Sequence, residues 1–152
     1  MVIINSFEEY KAYLGKQIGL SQWHQIDQEQ VNKFAAATLD FQWIHLDQKK
    51  AKADSPFGTT IAHGYLTLSL IPYLWKQIAD IQNVKMEVNY GIEKFKFNKA
   101  VRVDDEVQLT AKLISICDLR GITKVTIEAN LNIKGETKTA YTGNVIFLYH
   151  FN

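Results

Sequence analysis

One cysteine, Cys117, stands alone among 152 residues. An internal disulfide is therefore excluded, and so are zinc sites built from several cysteines. That composition suits a reducing cytosol. Charge of either sign is not in excess: the formal net charge is +1, which removes the broad electrostatic argument for a nucleic acid or a membrane surface as partner. No Gly-x-Ser-x-Gly elbow, P-loop or dinucleotide fingerprint is present, so nucleophilic catalysis and nucleotide chemistry lose their usual signatures. Long hydrophobic runs are also missing. The most apolar stretch, Ile61 to Ile78, is interrupted by His63, Pro72 and Lys76 and falls short of a membrane span. The first residues carry neither a basic region nor a long apolar one, so a signal peptide is not expected and the cytoplasm is the expected location.

What remains is ordinary globular composition, 47% hydrophobic and 22% charged, at a length that suits one domain over residues 1–152. Ser6 and Glu9 have capping-box spacing and predict a helix from Phe7 to Leu14 that ends at Gly15. Leu20 to Ile26 reads as extended. Asp27 opens a second helix, with Val31, Phe34, Ala35 and Thr38 on one face. Leu39 to Asp47 has no sustained period and reads as irregular, with Asp47 capping a turn through Lys49 to Ala53. Asp54 to Gly58 is loop chemistry.

Leu66, Leu68, Leu70, Ile71, Leu74, Trp75 and Ile78 cover more than one stripe, so this helix is expected to be wrapped, with a kink at Pro72. Beyond Val84 the period changes to two. Val101 and Val103, then Val107 to Leu113 and Val125 to Ile133, alternate with polar residues, and a last strand runs through Val145 to Tyr149. Leu119 to Thr123 and Lys134 to Thr137 read as turns between antiparallel strands. Such strands need one face covered, and the apolar helix is the element able to cover it. The expected fold is α+β, an antiparallel sheet wrapped around a long central helix.

Two segments could carry chemistry. Asp40-Phe41-Gln42-Trp43-Ile44-His45-Leu46-Asp47 puts acid, imidazole and acid in one loop between helices. A carboxylate beside an imidazole can share a bound water, and aromatic neighbours would desolvate the acid. The same residues would also serve as loop caps and a core histidine. In Ile61-Ala62-His63-Gly64, a glycine at a helix start admits a ligand to the backbone, and free N–H groups there can hold an oxyanion. Gly64 would equally serve as a packing gap and His63 as a cap. A metal on His45, Asp47 and His63 has no supporting spacing, so no metal and no cofactor are expected. Lys49, Lys50 and Lys52 would meet a coenzyme phosphate or form a solvated face.

The run from Phe34 to Asp47, followed by Ser55-Pro56-Phe57-Gly58-Thr59-Thr60-Ile61-Ala62-His63-Gly64 and the apolar helix, resembles the MaoC-like dehydratase family. It is most similar to the single-hot-dog branch that includes nodulation protein N and (R)-specific enoyl-CoA hydratases. Asn89-Tyr90-Gly91, ahead of Lys94 to Phe97, also matches that branch, and the resemblance spans Phe34 to Val107. It implies a homodimer of hot-dog folds working in fatty-acid metabolism. Asp40 and His45 would hold and activate a water, and the Gly64 amide would bind the thioester oxygen. Water would add to a trans-2-enoyl-CoA to give an (R)-3-hydroxyacyl-CoA, the acyl chain lying along the central helix.

Many members carry Gly-Asp-x-Asn-Pro-Ile-His. Here Leu39 precedes the acid and Gln42-Trp43 replace Asn-Pro, so Trp43, Leu39 and Tyr65, with His63 beside them, are expected to shape the substrate pocket. An acyl-CoA thioesterase of the same fold, or a non-catalytic acyl-thioester binding module, are the alternatives.

Overall fold

A computed structural model describes residues 1–152. In chain order the elements are β1 (Val2–Ile4), α1 (Phe7–Lys11), β2 (Gln17–Leu20), β3 (His24–Gln25), α2 (Gln28–Thr38), α3 (Trp43–Leu46) and α4 (Gln48–Asp54). Then follow α5 (Gly64–Ser69), α6 (Ile71–Ile78), β4 (Ala79–Ile81), β5 (Val84–Phe97), β6 (Glu106–Asp118), β7 (Thr123–Ile133) and β8 (Tyr141–Phe151).

The alternation of the second half does what its period demands. Along β7, Val125, Ile127, Ala129, Leu131 and Ile133 are buried on one face, because successive side chains of a strand point to opposite sides. The main sheet runs β2-β6-β7-β8-β5, with β3 also paired to β6, and the pairings are antiparallel. Against its apolar face lie Leu66, Leu70, Ile71, Leu74, Trp75 and Ile78 from α5 and α6, and these join the strand residues in one core. The helix-covered antiparallel sheet expected from the sequence is the fold observed.

Several local expectations are corrected. Helix α1 stops at Lys11, not Leu14; Gly15 follows in a turn at φ 78° and gives its N–H to the Leu113 carbonyl. The central helix is two pieces that meet at Leu70, with Pro72 in the first turn of α6, where its missing N–H costs little. It is wrapped on one side only: Tyr65 and Tyr73 are exposed. Val101 and Val103 belong to no strand. The Val101 carbonyl accepts from Ala62 N–H and the Val103 N–H donates to Thr60, so this loop clamps the segment before α5. A turn at Asp104 (φ 74°), with the Asp105 carboxylate accepting the Arg102 N–H, outweighs the period there. The parallel pair β1–β4 was not foreseen, since three residues are too few to show a period.

Strand β5 is 14 residues long, lies at the sheet edge and is largely exposed. No helix is long and apolar enough to cross a membrane.

Candidate active site

The site is assembled by a loop, a single helical turn and a helix start. Helix α2 ends when Leu39 adopts a left-handed conformation at φ 63°, which swings Asp40 out of the helix. The supposedly irregular stretch then contains the one-turn helix α3, which carries His45. Asp47 accepts the Lys50 N–H at 2.9 Å and caps α4. It is thereby occupied, and the grouping of His45, Asp47 and His63, which its spacing already disfavours, does not form.

Asp40 takes its place. A carboxylate oxygen of Asp40 and one ring nitrogen each of His45 and His63 all lie within 4.8 Å of one another. The two imidazoles are stacked, centroids 3.8 Å apart, and Phe34 closes the far side of His63 at 5.0 Å. His45 and His63 are buried, whereas the Asp40 side chain is 52% exposed. The desolvation of the acid expected from its aromatic neighbours is therefore absent: Phe41 itself points to solvent.

Hydrogen bonds set the tautomers. The Nδ1 of His45 lies 2.7 Å from the Ile61 carbonyl. A carbonyl only accepts, so Nδ1 carries the proton and Nε2 keeps its lone pair. Burial pushes the His45 imidazole below its ordinary range, against an opposing contribution from the Ile61 bond. The ring is thus a neutral base at neutral pH. By the same logic His63 donates Nε2–H to the Asp40 backbone carbonyl at 3.0 Å, and its buried Nδ1 has no partner.

Gly64 is the first residue of α5, and the earliest amides bonded within that turn are Leu66 and Thr67, both to the His63 carbonyl. The amides ahead of them are the free donors every helix start leaves. His45 and Gly64 line one cleft of about 310 Å³, together with Phe57, Phe97 and Val101. A Cβ on Gly64 would sit 3.0 Å from the Phe97 ring, so the glycine leaves the only room there is between helix and phenyl group.

The remaining expected residues stand apart. Asp40 flanks this cleft through the histidines without lining it. Trp43 lies under the Lys50 ammonium, 4.6 Å from its ring centre, and Tyr65 is 71% exposed with its edge toward Phe97. Lys49, Lys50 and Lys52 line neither this cleft nor the one beside it. Phe97, the last residue of the basic-aromatic stretch of β5, and Asn98 and Lys99 just after it also line the cleft, though the sequence reading gave them no role in the site.

Comparison with known proteins defines the class. The MaoC like domain model matches residues 9–134. The 3-hydroxyacyl-thioester dehydratase Z of Mycobacterium tuberculosis is 40% identical over 150 residues, covering 98% of this chain and 99% of that protein. Nodulation protein N of Rhizobium meliloti is 36% identical, covering 97% and 92%. Among solved structures, the (R)-hydratase from A. caviae involved in PHA biosynthesis superposes with a TM-score of 0.71 at 26% identity, covering 88% of this chain and 94% of that one.

The fold is the hot-dog fold, and its relatives make the chain a hydro-lyase. The chain belongs to the MaoC-like dehydratase family, in the branch of nodulation protein N.

Proposed function

We propose that the protein is an (R)-specific enoyl-CoA hydratase, a single-domain enzyme that reversibly adds water to a trans-2-enoyl-CoA. The observation that carries this reading is the neutral, correctly protonated His45 beside the Asp40 carboxylate, in the same cleft as the leading amide of α5.

In the addition direction, a water sits between the Asp40 carboxylate and His45 Nε2, both of which can only accept its protons. As its oxygen bonds to the β-carbon, one of these groups takes a proton. The π electrons move to the α-carbon and thioester carbonyl, and the growing enolate charge is met by the Gly64 N–H. A proton returned to the α-carbon completes the (R)-3-hydroxyacyl-CoA. No electron leaves the system, so the reaction itself calls for no redox group. His63 contributes by position: it holds the Asp40 backbone and backs the His45 ring.

Acyl chain and partner subunit share the open side of α5 and α6. A groove of about 400 Å³ runs there between Leu68, Pro72, Asn89, Tyr90 and Ile92. Beside it stand the exposed Tyr65 and Tyr73 and the free edge of β5. An unpaired edge and an apolar patch of this kind favour association with a second copy. We therefore assign a homodimer, and propose the cytoplasm and fatty-acid metabolism as its setting.

Crotonyl-CoA supplies the test. Loss of enoyl absorbance without thiol release is the expected result. Thiol release would make the protein a thioesterase, and no change across longer enoyl chains would leave an acyl-thioester binding module.

A further inference from the structure

The cleft that holds His45 and Gly64 does not end at Phe97. Phe57, Asn98, Lys99 and Ala100 line both it and a second cleft of about 410 Å³, which extends outward past Pro56 to Arg102 and Glu136. The two form one passage. Its inner part is bounded by the catalytic imidazole and apolar rings, and its outer part mostly by polar side chains.

The wall of this passage is firmly set. The Asn98 and Lys99 N–H groups both donate to the Ala140 carbonyl, and the Asn98 side chain donates to the Thr139 hydroxyl. On the inner side, Ala62 bonds Val101, and Ile61, whose carbonyl orients His45, bridges to Arg102. The segment 98–102 thus joins the catalytic loop to the outer mouth without a flexible break.

At that mouth two cations share one carboxylate. Lys99 Nζ lies 2.9 Å from Glu136 Oε2, and Arg102 Nη2 lies 3.9 Å from Glu136 Oε1. Asp105 is engaged separately, accepting the Arg102 N–H at 2.9 Å with the guanidinium Nε at 3.6 Å. Ion pairs this exposed are screened by solvent and salt and add little to stability. A phosphodiester matches the Glu136 carboxylate in charge and acceptor oxygens, and the diphosphate of coenzyme A exceeds it in both.

We propose that Lys99 and Arg102 bind a phosphate of the pantetheine-bearing carrier, with Glu136 holding both cations in place until that phosphate displaces it. The inference rests on the hydratase reading. A thioester carbonyl at Gly64 directs the pantetheine arm along the passage, past Phe57 and Ala100, and brings its phosphorylated end to the only cations lining it. Coenzyme A and an acyl carrier protein both present a phosphate at that end of the arm, and coenzyme A adds those of its nucleotide.

The test compares crotonyl-CoA, crotonyl-4′-phosphopantetheine and crotonyl-pantetheine with the wild-type protein, the Lys99→Ala/Arg102→Ala double variant and Glu136→Gln. In the double variant, kcat/KM for the phosphorylated thioesters relative to crotonyl-pantetheine should fall at least about tenfold, as loss of charge-assisted bonds to phosphate requires. Glu136→Gln should raise the same ratio. A fall for both phosphorylated substrates places the arm's own phosphate at the pair. A fall for crotonyl-CoA alone places a nucleotide phosphate there. An unchanged ratio overturns the proposal. If wild-type protein turns over none of the thioesters, the hydratase reading fails on its own. Calorimetric titration with coenzyme A then decides the phosphate site: weaker binding to the double variant supports it and equal binding overturns it.

Discussion

His63 donates a hydrogen bond from Nε2 to the Asp40 backbone carbonyl at 3.0 Å while its ring lies flat against His45, centroids 3.8 Å apart. One buried side chain therefore sets both members of the acid–imidazole pair, holding the first by its main chain and the second by its ring face. The nearby carboxylate oxygen of Asp40, at 3.9 Å, is too distant to be the main restraint. Asp40 can thus keep its side chain in solvent and still have a defined position.

Asp40→Asn removes the charge and basicity of the acid but leaves the main-chain bond to His63. The variant should fold normally and lose at least about a hundredfold in kcat, the usual worth of a positioned acid–base group. Full activity at an unchanged melting temperature would sink the assignment.

For His45 the pH profile is informative. Burial depresses the imidazole's proton affinity in the folded protein, so the active neutral form persists below the ordinary histidine value of about 6.5. The acid limb of kcat/KM should lie below that value, with activity falling as pH drops and the ring protonates. Folding follows the same sign: the unfolded chain binds this proton more readily, so stability declines as pH falls from about 6.5 toward the depressed value. His45→Gln should abolish that limb along with most of the activity.

Positioning by His63 predicts a different pattern. His63→Phe keeps an aromatic ring between Phe34 and His45 but loses the bond to Asp40. It should lower kcat more than it raises KM. The acid limb should also move upward, since His63 is one of the groups that hold His45 below its ordinary range. A variant that only lost stability would leave the limb where it was.

Gly64→Val puts a branched side chain against Phe97, where even a Cβ meets the ring at 3.0 Å. Turnover of crotonyl-CoA should fall by about a hundredfold or more, comparable to losing an oxyanion donor. Gly64→Ala, which asks Phe97 to yield only slightly, should retain more activity than the valine variant. Equal, normal rates in both would remove Gly64 from the site.

On the opposite side of the core, Trp75 donates its indole N–H to the Tyr149 hydroxyl at 2.9 Å, and both residues are buried. Tyr149→Phe leaves that donor without a partner. It should lower unfolding free energy by about 1–3 kcal/mol in denaturant melts, with catalysis per folded molecule unchanged.

Much of this protein is dictated by local sequence. The period of two from Val125 to Ile133 is enough to make a half-buried strand, and Asp27 and Asp47 cap the helices they precede because a short carboxylate can reach the free amides of the next turn. Asp40, His45 and Gly64 were legible as candidates from residue type and spacing. Their convergence was not, because Asp40 and His63 are 23 residues apart in the chain and meet through a backbone carbonyl, which no residue type encodes. Local pattern also misled: Val101 and Val103 alternate like a strand yet form the clamp on the loop before α5. The opposite charges at the outer mouth, Lys99 and Glu136, come from a loop and a turn that meet only when β8 returns beside β5. Short-range hydrogen bonding and periodicity are properties of neighbours in sequence. The tautomer of His45, the exposure of Asp40 and the course of the passage depend on which distant groups burial brings together, and only the packed fold decides that.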